Sequence, residues 1–328
     1  MALKIGIVGV GNIGSNHAGC YKNNPKCEIV ACCDIIPEKA DAGAAKFGGK
    51  AFYSVKEMLA SGINLDACSM CTKGEENGGD HFTPTMELLE AGIPTLGEKP
   101  ISNNIQHAEQ MVALAREKKV PYAINLNHRF TPAALRAKEW MEADRLGTSY
   151  MINMRMWINN PSDTPWFHLR ALHPHSFDVI RYFMGDVKSV AAFLKKGHNR
   201  ECWSNAQVAL YFESGAVGCL TGSYDAGGSY GLEKCEIVGS KGRIVIDDAC
   251  EHLSFYNRGS IEYETFSYLG GMRSFGETFQ FRINKWVDQI EAKTPYDKID
   301  ASGLDGLKVQ RIIEAAITSW NEHRIVDL

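Results

Sequence analysis

The sequence has no apolar run long enough to span a membrane and no long stretch of charge of one sign. Its 35 lysine and arginine residues against 39 aspartate and glutamate residues leave a formal net charge of −4, without the basic stripe typical of nucleic-acid-binding proteins. Repeats, low-complexity segments and a signal-peptide cleavage region are also absent. We therefore expect a cytoplasmic protein that binds neither nucleic acid nor a membrane.

The sequence contains ten cysteines, but their setting argues against disulfides. Several, including Cys32, Cys33 and Cys219, lie in apolar, strand-like runs, where cysteine acts as a small hydrophobic residue. We expect reduced thiols. The length of 328 residues and the hydrophobic fraction of 45% exclude wholesale disorder and, at roughly 150 residues per domain, predict two domains.

The first part of the chain, residues 1–125, alternates short apolar runs with helical patterns. Strands are predicted at 3–8, 28–33, 65–71, 94–96 and 122–125, and helices between them, for example at 84–91 and 105–118. This alternation is typical of βαβ units. We therefore predict a doubly wound, parallel α/β domain of the Rossmann type.

The pattern changes after about residue 145, where strands follow one another through tight turns. Strands are predicted at 151–157, 187–195, 206–212, 216–223, 235–238 and 243–246, and helices at 175–184, 279–292 and 304–322. Residues 126–328 are therefore predicted to form an α+β domain with a large, mostly antiparallel open sheet.

A glycine-rich turn follows the first predicted strand. Gly9, Gly11 and Gly14 have the GxGxxG spacing, and Asn12 and Ile13 stand between them at the start of a helix. The first glycine permits a tight turn, the second lets a pyrophosphate approach the backbone, and the third allows close packing of helix on strand. All five residues are predicted to bind a dinucleotide.

Asp34 ends the second predicted strand, at the distance from the glycines where a carboxylate binds the ribose hydroxyls. A carboxylate there repels the additional phosphate of NADP. The next residues, Ile35, Ile36 and Pro37, supply no cation to bind that phosphate. We therefore expect NAD rather than NADP.

Glu98 and Lys99 follow a predicted strand at the edge where open α/β sheets bind ligands. Pro100 restricts Lys99 to an extended backbone. A partly buried lysine with a lowered pKa is suited to hydrogen-bond a substrate hydroxyl or to relay its proton. Glu98 and Lys99 are predicted to contact the cofactor, and Lys99 also to bind substrate and take part in catalysis.

Over essentially its whole length the chain resembles the Gfo/Idh/MocA oxidoreductases, typified by glucose–fructose oxidoreductase and inositol dehydrogenase. The motifs that carry the resemblance are the glycine turn with Asp34, the run Glu98-Lys99-Pro100, the crossover at 127–132, the HxxDxxR pattern of His175, Asp178 and Arg181, and the closing helix around 315–319. The resemblance implies a Rossmann domain, an NAD-dependent oxidoreductase and sheet-to-sheet dimers or tetramers.

Three histidines, His168, His173 and His175, crowd the start of the helix predicted at 175–184. The resemblance implies that His175 lies near the nicotinamide and is the acid–base group for the oxidised hydroxyl. The ordinary histidine pKa of about 6.5 suits that task. Donors, acceptors and aromatic faces that suit a polyhydroxylated ring are predicted to line the substrate pocket, namely Lys99, Asn127, Arg129, Arg155, Trp157, His173, His175 and Asp178.

One position departs from the inositol dehydrogenases, which carry an aspartate four residues before this histidine. Ala171 stands there, with Arg170 and His173 as polar candidates to take over the missing contacts. The departure favours a polyol or sugar derivative other than inositol.

A metal centre is an alternative interpretation of the histidine cluster with Asp178, as in a sugar-phosphate isomerase. These residues lack an established ligand spacing, so no metal is predicted. Cys68 and Cys71 form a lone CxxC without a second pair, and we expect them to pack in the core.

Residues 73–80 form a glycine-rich, acidic insertion between Thr72 and His81, where family members usually run Thr-Pro-Asn with a histidine two residues later. Thr72 and His81 are predicted to lie at the cofactor. The insertion is either a lid over the nicotinamide or substrate, or a solvated surface loop.

Together these features predict a dehydrogenase that moves hydride between NAD and a secondary hydroxyl of a sugar, polyol or sugar derivative. His175 would take the hydroxyl proton, and Lys99 would hydrogen-bond the same oxygen. Two alternatives stay open. One is a glycosidase of this fold that oxidises and re-reduces its substrate within one turnover, and the other is a non-catalytic NAD-binding sensor.

The open sheet of the second domain also predicts self-association. Five apolar strand residues are expected to place side chains on both of its faces, namely Val208, Leu210, Phe212, Val217 and Leu220. An apolar face that stays in contact with solvent is costly in free energy. We therefore expect a homo-dimer or homo-tetramer, as the resemblance implies.

Overall fold

The computed structural model describes residues 2–226, 232–247, 251–257, 259–265 and 275–328. They form two compact units, one of Met1–Leu126 with Phe279–Gln310 and one of Asn127–Thr278 with Arg311–Leu328. The predicted boundary after residue 125 lies one residue from the first division, and the predicted second domain of 126–328 differs from the second unit in the segment 279–310, which packs with the first. Within the described residues, no helix has the length and apolar character to cross a membrane.

The first unit contains a six-stranded parallel sheet in the order β3-β2-β1-β4-β5-β6, which is the strand order of a Rossmann fold. The strand order confirms the predicted fold, and the sheet has one strand, β3, that was not predicted from the sequence. Its elements are β1 (Leu3–Val8), α1 (Asn12–Lys22), β2 (Cys27–Cys33), α2 (Pro37–Phe47), β3 (Lys50–Phe52), α3 (Val55–Ala60), β4 (Ala67–Met70), α4 (Phe82–Glu90), β5 (Thr95–Gly97), α5 (Ile105–Lys118) and β6 (Tyr122–Ile124).

Burial on both faces explains the continuous apolar strands of this sheet. One face packs α8 (Phe275–Glu291), whose Phe279, Ile283 and Trp286 join Ile5 and Ile7 of β1 in a single core cluster. This packing is why the segment from residue 279 belongs to the first unit.

The second unit contains a nine-stranded sheet in the order β14-β13-β12-β11-β7-β10-β9-β8-β15. Of the strand pairs described, β7 with β10 is parallel and the others are antiparallel, which confirms the predicted mostly antiparallel sheet. Its elements are α6 (Pro132–Glu142), β7 (Ser149–Trp157), α7 (His173–Met184), β8 (Val187–Lys195), β9 (Asn205–Phe212), β10 (Val217–Ser223), β11 (Leu232–Gly239), β12 (Arg243–Asp247), β13 (His252–Tyr256), β14 (Ile261–Thr265), the end of α9 (Gly303–Glu322) and β15 (Val326–Asp327).

The two faces of this sheet differ more than the sequence predicts. Val208, Leu210 and Phe212 alternate along β9 onto one face, and they are buried, as is Leu220 on β10. Val217 alone of the five predicted residues is exposed, at 49%. The five residues therefore lie on both faces of the sheet, four on the buried face and Val217 on the exposed one.

Candidate active site

The glycine-rich turn runs from the carboxyl end of β1 into α1. Gly9 has a φ of +82°, and a side chain there would lie 2.6 Å from the backbone nitrogen of Thr72. A Cβ on Gly14 would lie 1.8 Å from the carbonyl oxygen of Gly9, whereas one on Gly11 would meet none of the described atoms within 4 Å. The turn therefore leaves room beside Gly11 and the first amides of α1, which is where an anion binds.

Asp34 lies beside this turn, just past the end of β2. Its Oδ2 accepts a hydrogen bond from the N–H of Val10 at 2.8 Å, and its Oδ1 accepts one from the N–H of Ile36 at 3.0 Å. Each carboxylate oxygen keeps a second acceptor position, so the group can brace the turn and still bind a ribose hydroxyl. Asn12 and Ile13 are exposed at the start of α1. These residues fit a dinucleotide.

The carboxylate of Glu98 lies in a buried polar network. Its Oε1 accepts a hydrogen bond from Nδ2 of Asn125 and lies 2.9 Å from Nε2 of His17 on α1. Its Oε2 accepts a hydrogen bond from the N–H of Lys99 at 3.2 Å. Nδ1 of His17 in turn lies 3.1 Å from Oγ of Ser69 on β4. Both carboxylate oxygens are engaged inside the unit, and the contact of Glu98 with the cofactor stays a prediction.

The network fixes the charge state of the residues beside it. Burial raises the pKa of Glu98, but hydrogen bonding and the charge of His17 outweigh burial and hold the pKa below its ordinary value. Burial lowers the pKa of Lys99, and the neighbouring carboxylate offsets part of this effect. The peptide bond between Lys99 and Pro100 is cis. Lys99 is therefore a half-buried lysine with a lowered pKa, at the carboxyl end of β5.

His81 joins the loops that follow β4 and β5. Its Nδ1 lies 2.8 Å from the carbonyl oxygen of Pro100, and its Nε2 lies 3.0 Å from the carbonyl oxygen of Thr72. The hydroxyl of Thr72 donates to the carbonyl oxygen of Asp80 at 2.7 Å. These contacts hold the two loops together, and the predicted contacts of Thr72 and His81 with the cofactor stay predictions.

The insertion at 73–80 is anchored to the segment after Pro100. Oε1 of Glu75 accepts a hydrogen bond from Oγ of Ser102 at 2.8 Å, and its Oε2 accepts one from the N–H of Asn103 at 3.1 Å. These two bonds hold the centre of the insertion to the segment after Pro100, which favours a surface loop of fixed position over a lid that opens.

In the second unit, His175 lies in the first turn of α7 with its imidazole against that of His128. The ring centroids are 4.2 Å apart and the ring planes differ by 14°. His128 belongs to a 3-10 turn, Asn127–Phe130, that precedes α6. Both rings are almost completely buried.

Arg129 attaches the same turn to α7. Its Nε donates to Oδ2 of Asp178 at 2.7 Å and its second nitrogen pairs with Oδ1, so a bidentate ion pair forms in a buried setting. The guanidinium also lies 5.2 Å from the ring centre of Tyr182. The pair explains how the turn is held, and a substrate contact by Arg129 or Asp178 stays a prediction.

Asn127, at the start of this turn, keeps an acceptor for a ligand. Its Nδ2 donates to the hydroxyl of Thr278, while its buried Oδ1 has no hydrogen-bond partner among the described atoms. Asn127 therefore remains a candidate for substrate binding.

His168 and His173 form a buried imidazole pair. Nδ1 of His168 faces the carbonyl oxygen of Trp203 at 3.0 Å and must donate, so its Nε2 accepts from Nε2 of His173 at 2.9 Å. Nδ1 of His173 then accepts from the hydroxyl of Ser176 at 3.1 Å. Burial lowers the pKa of His168 to about 4, and burial with the neighbouring His168 lowers that of His173 well below its ordinary value. His173 is thus a neutral core residue, and its contact with substrate stays a prediction.

Gly222 on β10 shows which face of the sheet this pair occupies, because a Cβ there would lie 2.1 Å from Nε2 of His173. The adjacent Thr221 points to the opposite face, and it pairs in register with Arg155 on β7. The guanidinium of Arg155 lies 4.8 Å from the ring centre of Trp157, on the same face. Arg155 and Trp157 therefore point away from the face that holds the His168–His173 pair, and their predicted place in the substrate pocket stays a prediction.

The two predicted polar neighbours of Ala171 have partners within the protein. Arg170 forms a bidentate pair with Glu314 of α9, with both bonds at 2.8 Å, and His173 is engaged as described. That either side chain takes over the contacts of the missing aspartate stays a prediction.

The metal alternative finds no support in the described part of the chain, which contains no group of three histidine, cysteine, aspartate or glutamate side chains that could hold an ion. Cys68 and Cys71 are both buried, and burial raises the pKa of Cys68 to about 12.

Residues 3–126 match the family model described as "oxidoreductase family, NAD-binding Rossmann fold", and residues 134–245 match the model of the GFO/IDH/MocA C-terminal domain. The chain belongs to the GFO/IDH/MocA oxidoreductases. This match confirms the expected family, the oxidoreductase class and the NAD-binding Rossmann domain.

Curated relatives of this GFO/IDH/MocA chain are named as sugar and polyol dehydrogenases. Myo-inositol 2-dehydrogenase of Thermotoga maritima is 27% identical over 99% of this chain and 98% of its own length. Inositol 2-dehydrogenase of Rhizobium meliloti is 23% identical over the full length of both chains, and D-apiose dehydrogenase of Paraburkholderia graminis is 25% identical over 98% of this chain and 88% of its own.

Solved structures share the fold. Levoglucosan dehydrogenase in complex with NADH and levoglucosan superposes with a TM-score of 0.87 at 19% identity, over 100% of this chain and 99% of that one. An oxidoreductase from Agrobacterium radiobacter in complex with NAD+, L-tartaric acid and magnesium also gives 0.87 at 19% identity, over 100% and 98%.

Proposed function

We propose that this family member is an NAD-dependent dehydrogenase that oxidises a secondary hydroxyl of a sugar, polyol or sugar derivative. The observation that carries the proposal is Lys99, a half-buried lysine whose pKa burial lowers and whose backbone N–H is held by the carboxylate of Glu98. A lysine in this state, at the ligand-binding edge of a Rossmann sheet, is suited to a substrate oxygen that gains negative charge.

The first unit supplies the cofactor site. Gly9, Gly11 and Gly14 leave space for the diphosphate, with Asn12 and Ile13 exposed beside it, and Asp34 offers acceptors to the ribose hydroxyls. Bound NAD supplies the hydride acceptor. The carboxylate of Asp34 favours NAD over NADP by charge repulsion.

His175 is the proposed proton acceptor for the hydroxyl. Lys99 donates a hydrogen bond to the hydroxyl oxygen and stabilises its developing charge, which lowers the free energy of the alkoxide. Asn127 offers a buried carbonyl oxygen to a further hydroxyl of the substrate. A substrate with several hydroxyl groups suits this set of donors and acceptors.

The substrate class follows from the relatives named for inositol, apiose and levoglucosan. Ala171 favours a substrate other than inositol, because the inositol dehydrogenases resembled here carry an aspartate at that position. We therefore propose a sugar or polyol substrate that makes one fewer hydrogen bond with a charged group of the enzyme than inositol makes with an inositol dehydrogenase.

The proposal is tested by screening sugars, inositols and sugar derivatives with NAD and following the absorbance of NADH, with Lys99→Ala as the control for contaminating activity. We expect NADH formation with a small set of polyols and little with the variant. Release of free sugar without net NADH would indicate the glycosidase instead. NAD binding without turnover of any compound in the panel would indicate the sensor.

We also propose that the protein is a homo-oligomer that associates through the open face of the nine-stranded sheet. Met151, Val217 and Tyr211 lie side by side across β7, β10 and β9, and they are 36%, 49% and 44% exposed. A solvated apolar row of this kind is costly. Light scattering at micromolar concentration is expected to give a dimer or tetramer mass, and Val217→Lys is expected to lower that mass. A monomer mass for the unmodified protein would overturn the proposal.

A cytoplasmic location is likewise a proposal. It is supported by the cysteines, because the nine described ones are all free thiols. Fractionation of the native host cells tests it.

A further inference from the structure

We propose that His128 is a positioning residue for His175, an inference that rests on the proposed function of His175 as the base. The two imidazoles lie 4.2 Å apart at 14°, which is an almost parallel stack. A flat neighbour at this distance restricts rotation of the His175 ring about its Cβ–Cγ bond. The stack would therefore fix the direction in which the ring nitrogens of His175 point.

The stack is held by a second contact between the same two elements. Arg129 follows His128 in the turn, and Asp178 follows His175 by one turn of α7, so the two pairs lie next to each other on one helix face. The bidentate Arg129–Asp178 pair is buried, and breaking such a pair is costly. The turn is also fixed at its far end, where the hydroxyl of Thr131 caps α6 by accepting from the N–H of Ala134. His128 is thus attached to α7 on a rigid support.

Other groups near the start of α7 are committed elsewhere. The residue one turn before His175 is Ala171, whose methyl group cannot form a hydrogen bond. Arg170 is paired with Glu314, and His168 and His173 are neutral and bonded to each other. Of the described elements packed against α7, the turn of 127–130 carries His128 and Arg129, and β7 carries Arg155 on the opposite face of the sheet. His128 is in ring contact with His175.

The chemistry of the step agrees with a stacked neighbour. During oxidation of the hydroxyl, the O–H proton moves to a ring nitrogen of His175 and the carbon-bound hydride leaves to the cofactor, so His175 gains one positive charge. A neutral imidazole can stack on this cation, but two imidazolium rings at 4.2 Å would repel each other.

The test compares His128→Phe, which keeps a flat ring, with His128→Ala, which removes it, and uses the exposed His198→Ala as the control. We expect His128→Ala to lower kcat by roughly 10- to 100-fold, the size of effect that a small misplacement of a catalytic group produces, with KM changed only slightly. His128→Phe should retain most of kcat.

Two outcomes would overturn the proposal. One is an unchanged kcat in His128→Ala, and the other is an equal loss in His128→Ala and His128→Phe, with both variants shown to be folded by circular dichroism. Nitrogen-15 spectra of the histidines in the unliganded protein separate this proposal from the proposed function. The ring signals of His175 should shift on removal of His128 even if no substrate is ever found, and an unchanged His175 signal would contradict the stack itself.

Discussion

Nε2 of His17 lies 2.9 Å from Oε1 of Glu98, so the helix that begins at the glycine-rich turn is bonded to the residue before Lys99. Ser69 on the other ring nitrogen and Asn125 on the same carboxylate oxygen complete the network. The cofactor turn and the proposed catalytic lysine therefore share one buried polar support. A change in that support is expected to affect Lys99 without touching the glycines.

Replacing Glu98 by glutamine tests this support. The glutamine side chain has one oxygen and one NH2 group where the carboxylate has two oxygens. Its NH2 group would therefore face one of the buried N–H donors that now bond to Glu98, and we expect the free energy of unfolding to fall by about 1–3 kcal/mol. Removal of the carboxylate also removes the charge that raises the pKa of Lys99, so that pKa should fall further. The alkaline limb of kcat should therefore move to lower pH, while the Kd for NAD changes little.

The control for this variant is Asp66→Asn, which changes a carboxylate to an amide elsewhere in the same unit, where Oδ2 accepts from the N–H of Lys4 at 2.7 Å. It should leave the pH profile unchanged. A Glu98→Gln profile that superposes on that of the unmodified protein would show that the charge of Glu98 does not act on Lys99.

The cofactor preference should change when Asp34 is replaced by serine and Ile35 by arginine. The double variant removes the repulsion of the NADP phosphate and adds a cation for it, and we expect the ratio of kcat/KM for NADP over NAD to rise by at least about tenfold, or about 1.4 kcal/mol. Asp34→Asn is the matched control, because it keeps an acceptor for the N–H of Val10 and removes only the charge. An unchanged preference for NAD in the double variant would contradict the ribose assignment.

Stability should fall on acidification because the His168–His173 pair is neutral when folded. The folded pKa of His168 is lowered from 6.5 to about 4, so the unfolded chain binds a proton that the native state does not bind in this window. The contribution is complete above pH 6.5 and is lost as pH falls toward 4, at about 1.4 kcal/mol per pH unit for each such proton. Urea unfolding at successive pH values measures this, with the exposed His323→Ala expected to keep the same slope. A free energy of unfolding that does not change across the window would be incompatible with a neutral pair.

Gly222 should not tolerate a side chain, because its Cβ would lie 2.1 Å from Nε2 of His173 in the middle of that pair. We expect Gly222→Ala to cost about 1–3 kcal/mol, the usual penalty for overpacking, or more if the pair separates. Gly276→Ala in α8, where a Cβ meets none of the described atoms within 4 Å, is the control and should be neutral or slightly stabilising. Equal midpoints of urea unfolding for the two variants would argue against this packing.

The sequence allowed the first unit to be predicted well because its signals are local. Strand and helix periods alternate along the chain, and the glycine turn and Lys99 each stand directly after a strand, so the parallel topology alone places them at one edge of the sheet. The resemblance then added His175, which no local pattern identifies as a base.

The sequence predicts less where side-chain direction depends on distant parts of the chain. Whether Arg155 points toward or away from α7 depends on which sheet face the helices cover, and alternation along β7 alone does not decide that. The sequence predicts that Glu98 contacts the cofactor. Its hydrogen bonds with His17 and Asn125 depend on the fold, because those residues are distant in the sequence. His128 carried a weak signal, its place next to Arg129 in the crossover, but the stack on His175 depends on how the turn docks on α7.

The most direct test of the central claim is the pH dependence of single-turnover hydride transfer in His175→Ala and Lys99→Ala, with the best substrate from the screen. We expect His175→Ala to lose about 10²- to 10⁴-fold, as for removal of a general base, and to recover toward high pH because the hydroxyl then ionises more readily. Lys99→Ala should lose about 10²- to 10³-fold without recovery, because a donor to the developing negative charge is missing at every pH. Recovery of Lys99→Ala instead of His175→Ala would exchange the two roles, and a loss below tenfold in both variants would show that the active site lies elsewhere.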